Sequence, residues 1–493
     1  MPGSPSLSGR AVAAQVLRQF DPQRAYAGPL LNRLLNKTSE KQRATDLVFG
    51  TIRNLLAIDT VITEFSGRRI ERISKPLLAV IRIGVYELIY SPDSPPYSIV
   101  NEAVNTAKHT GGKKQTGFVN AVLRAVLRHM AERRTELATA HAMRTLPQNV
   151  ESGCAFDIDF LPDPETDLAS YLSVSFSLPL WLVAEWLDEF GPERTRDICF
   201  GCNRRPGVYV RVNPLKTTEA ALLERLTAED VQAEQVPDIG PGRHGRLPLR
   251  ITAPQSVAHL PGFAEGWFTV QDVAASHAVR LLDPQPGWTI LDLCAAPGTK
   301  TTQLAEWTRD EAQIVATDID PKRLAKLDEN LARLGHRSVT VVQTPSAFGS
   351  GPIRPIGPIG PIPNAKGVRR FDAVLLDVPC SNTGVLAKRI EARFRITPAS
   401  VTKLAQTQRD LLEKAARLVK PGGRICYSTC SLQRAENGAL VRAFLEAHPQ
   451  FELVREELTL PSMARATHAS PRPFDHDGAY AAVLALREGT IRA

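Results

Sequence analysis

The second half of the chain alternates short apolar runs with segments in which apolar residues recur at helical spacing. The apolar runs predict buried strands around residue 290, at 314–317, at 339–342, at 373–376 and around residue 425. Strands that alternate with helices are typical of a parallel sheet that helices cover on both faces. The pattern therefore predicts an α/β fold with a doubly wound sheet.

The first 135 residues have a different pattern, because apolar positions at helical spacing continue throughout. Ser98 is expected to cap a helix over 99–108, since a serine oxygen can accept from free backbone N–H groups. Gly111 and Gly112 should end that helix, and a further helix is predicted over 115–130. This part, 1–135, is predicted to be an all-α bundle without a catalytic constellation.

Between these two parts the sequence predicts a connector and a small domain. Residues 136–165 are expected to be an irregular linker, and residues 166–262 a small α/β domain. The catalytic domain then spans 263–493. A division into several domains is expected, because 493 residues exceed the usual size of one hydrophobic core. Its Pro/Gly-rich insertion, 349–367, is expected to be an extended surface loop, with a proline-motif ligand as the alternative.

Chemically capable side chains follow three of the predicted strands. The turn 294–300 follows the first strand, Asp377 and Cys380 follow the fourth, and Cys430 follows the fifth. Because the carboxyl ends of parallel strands share one edge of a sheet, these groups are expected to meet there. A thiolate that adds to carbon 6 of a pyrimidine makes carbon 5 nucleophilic. The combination indicates methylation of carbon 5 of a pyrimidine.

Three motifs carry a resemblance to a known family. They read Leu-Asp-Leu-Cys-Ala-Ala-Pro-Gly-Thr-Lys-Thr-Thr from residue 291, Asp-Val-Pro-Cys-Ser-Asn-Thr-Gly-Val from residue 377, and Ser-Thr-Cys-Ser from residue 428. They resemble the RNA cytosine-5 methyltransferases, in particular the RsmB/Sun-type enzymes of bacterial 16S ribosomal RNA. Residues 8–130 also resemble the NusB-type domain that precedes the catalytic part there. The resemblance covers nearly the whole chain and implies a Rossmann-like methyltransferase domain after a NusB-like domain.

The resemblance implies a division of roles between the candidate catalytic residues. Cys430 is expected to attack carbon 6 of cytosine, and Cys380 to assist release of the product. Asp377 would accept from the exocyclic amine or pair with protonated N3. DNA cytosine-5 enzymes attack with the Pro-Cys cysteine, so the presence of both cysteines favours the RNA class. The alternative, two small buried cysteines without chemistry, fits poorly with their polar positions at strand ends.

The same resemblance implies S-adenosylmethionine as cofactor. Asp318, at the end of the next strand, is expected to bind its ribose hydroxyls, as acidic residues do there; a helix-capping role is the alternative. A phosphate-binding loop for ATP or GTP is disfavoured, because its glycines would fall at Cys294 and Thr299. The cofactor is expected to contact Cys294, Ala295, Ala296, Pro297, Gly298, Thr299, Lys300, Asp318 and Asp377.

Several positions depart from the family pattern, and among them the stretch after Val385, residues 388–394, lacks the usual proline. Thr299 replaces a usual glycine, and its Cβ would strain the turn if its φ were positive. The acidic residue expected after the third strand is missing near Pro345. These departures put the affinity for the cofactor in doubt and leave the proposed chemical groups intact.

Positive charge is concentrated in the first part of the chain. Residues 1–134 contain 20 Lys and Arg against 10 Asp and Glu, whereas the rest contains 40 against 42. Such a surplus suits a polyanion, with a solvated helical surface as the alternative. The candidate RNA-binding residues are Lys113, Lys114, Arg124 and Arg128, within a patch that also includes Lys108, Arg133 and Arg134.

Other functional classes are disfavoured by the sequence. The most apolar helix pattern is interrupted by Arg82 and Glu87, so no membrane span is expected. Cys199 and Cys202 lack a second ligand pair, which argues against a metal site. We expect a cytoplasmic monomer that acts on RNA, with no DNA or membrane partner. Two alternatives stay open: the same chemistry on transfer RNA or another RNA, and a decayed methyltransferase that serves as an RNA-binding assembly or transcription factor.

Overall fold

The structure is a computed structural model that describes residues 7–108, 113–236, 248–252, 256–344, 354–355, 370–463 and 474–488. Apart from residues 354–355, the predicted Pro/Gly-rich loop at 349–367 lies outside this part of the chain. Two units make up the chain. The first comprises 1–205, 386–396 and 462–473; the second comprises 206–385, 397–461 and 474–493.

The helices are α1 (Gly9–Gln19), α2 (Ala27–Asn32), α3 (Lys41–Arg53), α4 (Leu55–Ser66), α5 (Lys75–Tyr90), α6 (Pro96–Lys108), α7 (Lys113–His129), α8 (Leu168–Phe176), α9 (Leu180–Asn203, kinked at Gly191), α10 (Glu219–Ala228), α11 (Val273–Leu282), α12 (Thr299–Trp307), α13 (Pro321–Leu334), α14 (Ala392–Arg395), α15 (Pro398–Leu418) and α16 (Gly438–Ala447).

The strands are β1 (Met130–Glu136), β2 (Thr145–Pro147), β3 (Ser152–Phe156), β4 (Val208–Val212), β5 (Gln232–Gln235), β6 (Leu249–Thr252), β7 (Phe268–Val270), β8 (Thr289–Asp292), β9 (Gln313–Asp318), β10 (Val339–Gln343), β11 (Arg354–Pro355), β12 (Phe371–Asp377), β13 (Val419–Thr429), β14 (Phe451–Thr459), β15 (Ser462–Met463), β16 (Asp475–His476) and β17 (Ala479–Leu486).

The first unit is built around α5, which packs against α1, α3, α4, α6 and α7. Apolar side chains bury α5 on nearly every face, and its buried Glu87 accepts from Arg10 Nε at 2.6 Å. The helical prediction is confirmed up to His129, whereas residues 130–135, which were predicted to belong to the same all-α part, lie in β1. The predicted start of α6 at residue 99 is wrong by three positions, because Pro96, preset for the first helical turn, begins the helix and Ser98 lies inside it.

The stretch 136–165, expected to be irregular, contains β2 and β3. They form a three-stranded antiparallel sheet with β1, in the order β1-β3-β2. These strands are only three to seven residues long, too short for an alternating pattern to stand out in the sequence.

The segment 386–396 belongs to the first unit although the sequence places it inside the catalytic domain. Buried Arg393 donates from Nη1 to the carbonyl of Arg53 at 2.6 Å and to Oδ1 of Asn203 at 2.9 Å. Arg395 donates from Nε to the carbonyl of Pro22 at 2.7 Å. These bonds fix the segment within the helical unit.

The second unit has an eight-stranded sheet in the order β11-β10-β9-β8-β12-β13-β17-β14. The pairs from β10 to β13 are parallel, and β17 runs antiparallel between β13 and β14. One face packs on α11 and α12, and the other on α15 and α16. The predicted doubly wound α/β fold is confirmed, and all five predicted strands are present.

A smaller antiparallel sheet, β5-β6-β4-β7, precedes the large one in the second unit. Its core includes Val210, Leu222, Leu226 and Phe268, with α10 covering one face. Thr218 caps α10, since its Oγ1 accepts from the backbone N–H of Ala221 at 3.2 Å.

Candidate active site

Acidic residues end three neighbouring strands of the large sheet. Asp292 ends β8, Asp318 ends β9 and Asp377 ends β12. The register pairs Leu375 with Asp292, and Asp377 with Ser428, so these positions lie at one edge of the sheet. The sequence prediction that these strand ends share one edge therefore holds.

A sharp turn connects β8 to α12 at this edge. Gly298 has φ of 101°, and a Cβ there would lie 2.2 Å from Cδ1 of Leu327, so the turn requires glycine at this position. Thr299 is the first residue of α12 and has helical geometry. The strain considered for Thr299 is therefore absent, because the left-handed position falls one residue earlier.

Asp318 fixes this turn from the neighbouring strand. Its Oδ2 accepts from the backbone N–H of Ala296 at 3.2 Å, and its Oδ1 accepts from that of Asp320 at 3.0 Å. Arg323 Nη1 lies 3.5 Å from Oδ2. The carboxylate is buried, and its hydrogen bonds stabilise the conformation of the turn. These contacts are compatible with the predicted contact to the ribose.

Asp292 is a site residue that the sequence interpretation missed. Its Oδ2 accepts from Thr301 Oγ1 at 2.7 Å, whereas its buried Oδ1 has no hydrogen-bond partner among the described residues. Burial raises the pKa of this carboxyl to about 7. The sequence contains one indication of its role, because an acidic residue interrupts the apolar run of β8 immediately before the turn.

Lys300 pairs with the candidate catalytic carboxylate. Its Nζ lies 2.7 Å from Oδ2 of Asp377, while Ser428 Oγ donates to Oδ1 at 2.8 Å. Burial alone would lower the pKa of Lys300, but the Asp377 carboxylate outweighs burial and raises it. Lys300, predicted as a cofactor contact, thus orients the Asp377 side chain.

The two predicted thiols meet beside this pair. Cys380 Sγ and Cys430 Sγ are 3.1 Å apart, and Cys430 Sγ lies 3.3 Å from Oδ1 of Asn382. The hydrogen bond with Cys430, together with burial, raises the pKa of Cys380 well above its usual value. Burial also raises the pKa of Cys294, which disfavours a third reactive thiol.

The residues at this edge fit the predicted cofactor. Its ammonium group and ribose hydroxyls are hydrogen-bond donors, and the edge presents the carboxylates of Asp292 and Asp318 as acceptors. Asp292 Oδ1 and the buried Thr344 Oγ1 have no partners within the described chain. Thr344 follows β10, close to where the missing acidic residue was expected.

The candidate RNA-binding residues lie in the first unit. Arg124 and Arg128 are exposed one turn apart on α7; the side chains of Lys113 and Lys114 lie outside the described residues. Arg133 is wrongly assigned to the RNA patch. Its guanidinium donates to five backbone carbonyls around the end of α5, which satisfies that helix terminus.

Cys199 and Cys202 are both buried in α9. Across the described ranges, no group of three His, Cys, Asp or Glu side chains is arranged to hold a metal ion. None of the helices described here is long and apolar enough to cross a membrane.

Family models match most of the chain in three parts. Residues 279–485 match the 16S rRNA methyltransferase RsmB/F model, 8–128 match the NusB family, and 178–242 match the ferredoxin-like domain of RsmF/B-like methyltransferases. The chain is 32% identical to ribosomal RNA small subunit methyltransferase B of Yersinia pseudotuberculosis over 96% of its length and 98% of that protein. It is also 32% identical to the probable enzyme of that name from Synechocystis, covering 92% and 93% of the two chains.

Solved structures show the same fold. The crystal structure of PH0851 covers 97% of this chain and 99% of its own, with a TM-score of 0.67 and 24% identity. A methyltransferase homolog protein from Pyrococcus horikoshii covers 66% of this chain and 99% of its own, with a TM-score of 0.50 and 24% identity.

The fold and the acidic, thiol-bearing edge define a Rossmann-like methyltransferase. The chain belongs to the RsmB/F family of 16S rRNA methyltransferases. The predicted cofactor, S-adenosylmethionine, is confirmed by this membership.

Proposed function

We propose that this protein methylates carbon 5 of a cytosine in 16S ribosomal RNA through a covalent bond between Cys430 and carbon 6. The observation that carries the proposal is the thiol pair at 3.1 Å, beside a carboxylate that a partly buried lysine and a serine hold in place. The named relatives are ribosomal RNA small subunit methyltransferases, which supports the choice of RNA.

The chemistry begins at Cys430. Its thiolate adds to carbon 6, and the electron pair moves to carbon 5, which becomes nucleophilic. Asp377 stabilises the charge that develops on the ring through the exocyclic amine or protonated N3. S-Adenosylmethionine, when bound, supplies an electrophilic methyl group on a sulfonium centre.

The reaction ends at Cys380. After carbon 5 has taken the methyl group, its proton must leave before the Cys430–carbon 6 bond can break. The proton passes to water, and the electron pair of the carbon 5–hydrogen bond restores the ring double bond. Cys380 assists the release by donating a hydrogen bond to the departing Cys430 thiolate. Because burial and its bond to Cys430 favour the neutral form of Cys380, the second thiol does not compete as nucleophile.

Trapping with 5-fluorocytosine RNA tests this assignment. A fluorine on carbon 5 cannot be removed as a proton, so the wild-type protein should stay bound to RNA through Cys430. Mass spectrometry should find the adduct on the peptide that contains Cys430. Cys430→Ala should give no adduct and no methylation, whereas Cys154→Ala, a buried cysteine in the first unit, should behave as wild type.

With unmodified RNA, Cys380→Ala should still form the adduct and transfer the methyl group but release RNA slowly, so the adduct should survive denaturing electrophoresis. An adduct on Cys380 would reverse the roles. No adduct on either thiol, with RNA and cofactor bound, would support the decayed-enzyme alternative. Bisulfite mapping of total RNA with and without the gene would show whether the target lies in 16S or in transfer RNA.

A further inference from the structure

A buried carboxylate connects the two cysteine loops. Glu436 is 0% exposed, and its Oε1 accepts from the backbone N–H of Ser381 at 3.0 Å and from Gln408 Nε2 at 2.9 Å. Its Oε2 accepts from Ser431 Oγ at 2.5 Å and from Ser381 Oγ. Four donors therefore converge on one carboxylate that has no part in the methyl transfer described above.

The serines that contact Glu436 are the direct neighbours of the two thiols. Ser381 follows Cys380, and Ser431 follows Cys430, and their hydroxyl oxygens are 3.0 Å apart. Gln408 extends the link, because its Nε2 also donates to the carbonyl of Pro379 at 2.9 Å. The loop after β12 and the loop after β13 are thus tied to the same group.

The bonds to Glu436 are strong but their donors are neutral. The four donors are a backbone N–H, a side-chain amide and two hydroxyls. Burying a charge costs free energy unless its oxygen atoms accept hydrogen bonds. Hydrogen bonds to an ionised acceptor are about twice as strong as those between neutral groups. A stable core could be built at lower cost with apolar side chains, so the arrangement indicates a functional reason.

We propose that Glu436 is a positioning residue that sets the spacing of Cys380 and Cys430 and, as a fixed negative charge, keeps the shared thiol proton on Cys380. The kinetic part of this inference rests on the proposed function, whereas the part on thiol protonation does not. Holding the proton on Cys380 makes Cys380 the hydrogen-bond donor and Cys430 the nucleophile.

Most of the groups that face Cys380 act in the same direction. The hydrogen bond with Cys430, burial, and the charges of Cys430 and Glu436 raise the pKa of Cys380, whereas a backbone hydrogen bond at Asn382 lowers it. The backbone N–H of Cys430 also donates to Cys380 Sγ, at 3.3 Å. Tyr427, whose hydroxyl donates to the carbonyl of Glu436 at 2.6 Å, is the further titratable neighbour. The positive charge of Lys300 is directed to Asp377 at 2.7 Å.

Two substitutions separate the charge of Glu436 from its hydrogen bonds to the two cysteine loops, which we call the brace. Glu436→Gln keeps the size: its carbonyl can accept from Ser381 N–H and Gln408, and its amide can donate to the two serine hydroxyls, which rotate. Glu436→Ala removes the brace as well. Glu413→Gln is the matched control, since Glu413 lies on α15 and pairs with His448 at 3.0 Å, apart from the thiols.

The pH dependence of iodoacetamide alkylation tests the charge without any RNA. In a Cys430→Ala background, with Cys380 alkylation followed by mass spectrometry, Glu436→Gln should lower the pKa of Cys380, and Glu413→Gln should leave it unchanged. An unchanged profile in Glu436→Gln would overturn the inferred role of the charge.

Kinetics on the full chain test the brace. Glu436→Ala should lower kcat by about a hundredfold, the scale of a displacement near 1 Å, with the KM for RNA unchanged and Glu436→Gln intermediate. If Glu436→Ala does not fold, the double variant Ser381→Ala, Ser431→Ala removes the hydroxyl donors and should lower kcat in the same way. Wild-type kcat in the folded variants would overturn the brace.

The two proposals fail in different ways. If wild-type protein does not methylate cytosine but Glu436→Gln still lowers the pKa of Cys380, the proposed function is wrong and the role of the charge stands. If cytosine is methylated but neither alkylation nor kcat responds to Glu436, both roles inferred for Glu436 are wrong and the proposed function stands.

Discussion

At the scale of single residues, burial determines the protonation state of a carboxyl group at the edge of the sheet. Asp292 is only 1% exposed, and its pKa is about 7. Its carboxyl is therefore largely neutral between pH 3.8 and about 7, where an exposed aspartate is ionised. A neutral carboxyl can donate to a neighbour, and an ammonium group of a ligand would favour its ionised form. The residue therefore couples stability to pH.

Asp292→Asn should change the pH dependence of stability. The folded protein binds a proton at Asp292 between pH 3.8 and about 7 that the unfolded chain releases. The stabilisation is complete below pH 3.8 and is lost as pH rises through 7. Relative to Asp292→Asn, the wild type should lose roughly 2–4 kcal/mol across this range. Urea unfolding at several pH values measures the difference, and parallel curves would contradict it.

Asp318→Ala should weaken S-adenosylmethionine binding by about 1–3 kcal/mol, the cost of losing a charged hydrogen-bond partner. The carboxylate accepts from the turn at Ala296, so its loss also loosens the cofactor turn. Calorimetry measures the affinity. Asp320→Ala is the control, because Asp320 caps α13 by accepting from Lys322 N–H; equal affinity in both variants would refute the assignment.

The residue scale also shows what a sequence can reveal of a site. Asp377, Cys380 and Cys430 could be predicted because polar residues directly after an apolar strand stand out. Glu436 and Gln408 could not, because each lies among polar residues and looks like part of an exposed helix surface. Their burial depends on tertiary packing, which no local pattern records.

At the scale of elements, three loops meet with no room between their backbones. Gly384 N–H donates to the carbonyl of Cys430 at 2.9 Å, and Gly478 N–H donates to the carbonyl of Gly384 at 2.8 Å. A Cβ on Gly384 would lie 2.6 Å from the Gly478 oxygen and 2.9 Å from the Cys430 oxygen. Backbone atoms cannot yield as a flexible side chain can, so the loop of Cys430 would have to move.

Gly384→Ala should therefore lower methyl transfer by about a hundredfold, as expected when a nucleophile is displaced by roughly 1 Å. Cofactor affinity should stay near that of wild type, because the turn at 294–300 is a separate loop. Single-turnover assays and calorimetry measure the two quantities. Gly117→Ala on α7 is the control, since its Cβ would meet no atom within 4 Å; wild-type activity in Gly384→Ala would disprove the packing argument.

Elements were predictable where their hydrophobic pattern was long or continuous. The parallel strands β8, β9 and β12 and the second half of β13 are largely buried, which gives nearly continuous apolar runs, and β10 is partly buried. The short strands β2 and β3 give no such signal, and the start of α6 depended on which proline or serine begins the helix. Pairing order, including the antiparallel position of β17, is set by contacts distant in sequence.

At the scale of the whole molecule, the positive charge of the first unit is the feature that bears on RNA. Arg124→Glu with Arg128→Glu should weaken RNA binding and reduce the slope of log affinity against log salt by roughly 1–2, because each lost phosphate contact removes about one counterion. Titrations at several salt concentrations measure the slope. Arg24→Glu with Arg72→Glu, exposed elsewhere in the unit, is the charge-matched control; equal slopes would identify the α7 surface as a solvated face.

The placement of residues 386–396 has a consequence for synthesis. The helical unit needs this segment to supply Arg393 to the carbonyls of Arg53 and Cys202, yet a ribosome makes the segment only after β8, β9, β10 and β12 have been translated. The unit that begins the chain is therefore completed only after much of the second unit has been synthesised. During synthesis, the N-terminal helices lack these contacts until β8, β9, β10 and β12 have left the exit tunnel. A chain truncated after residue 205 would lack the later segments of the first unit.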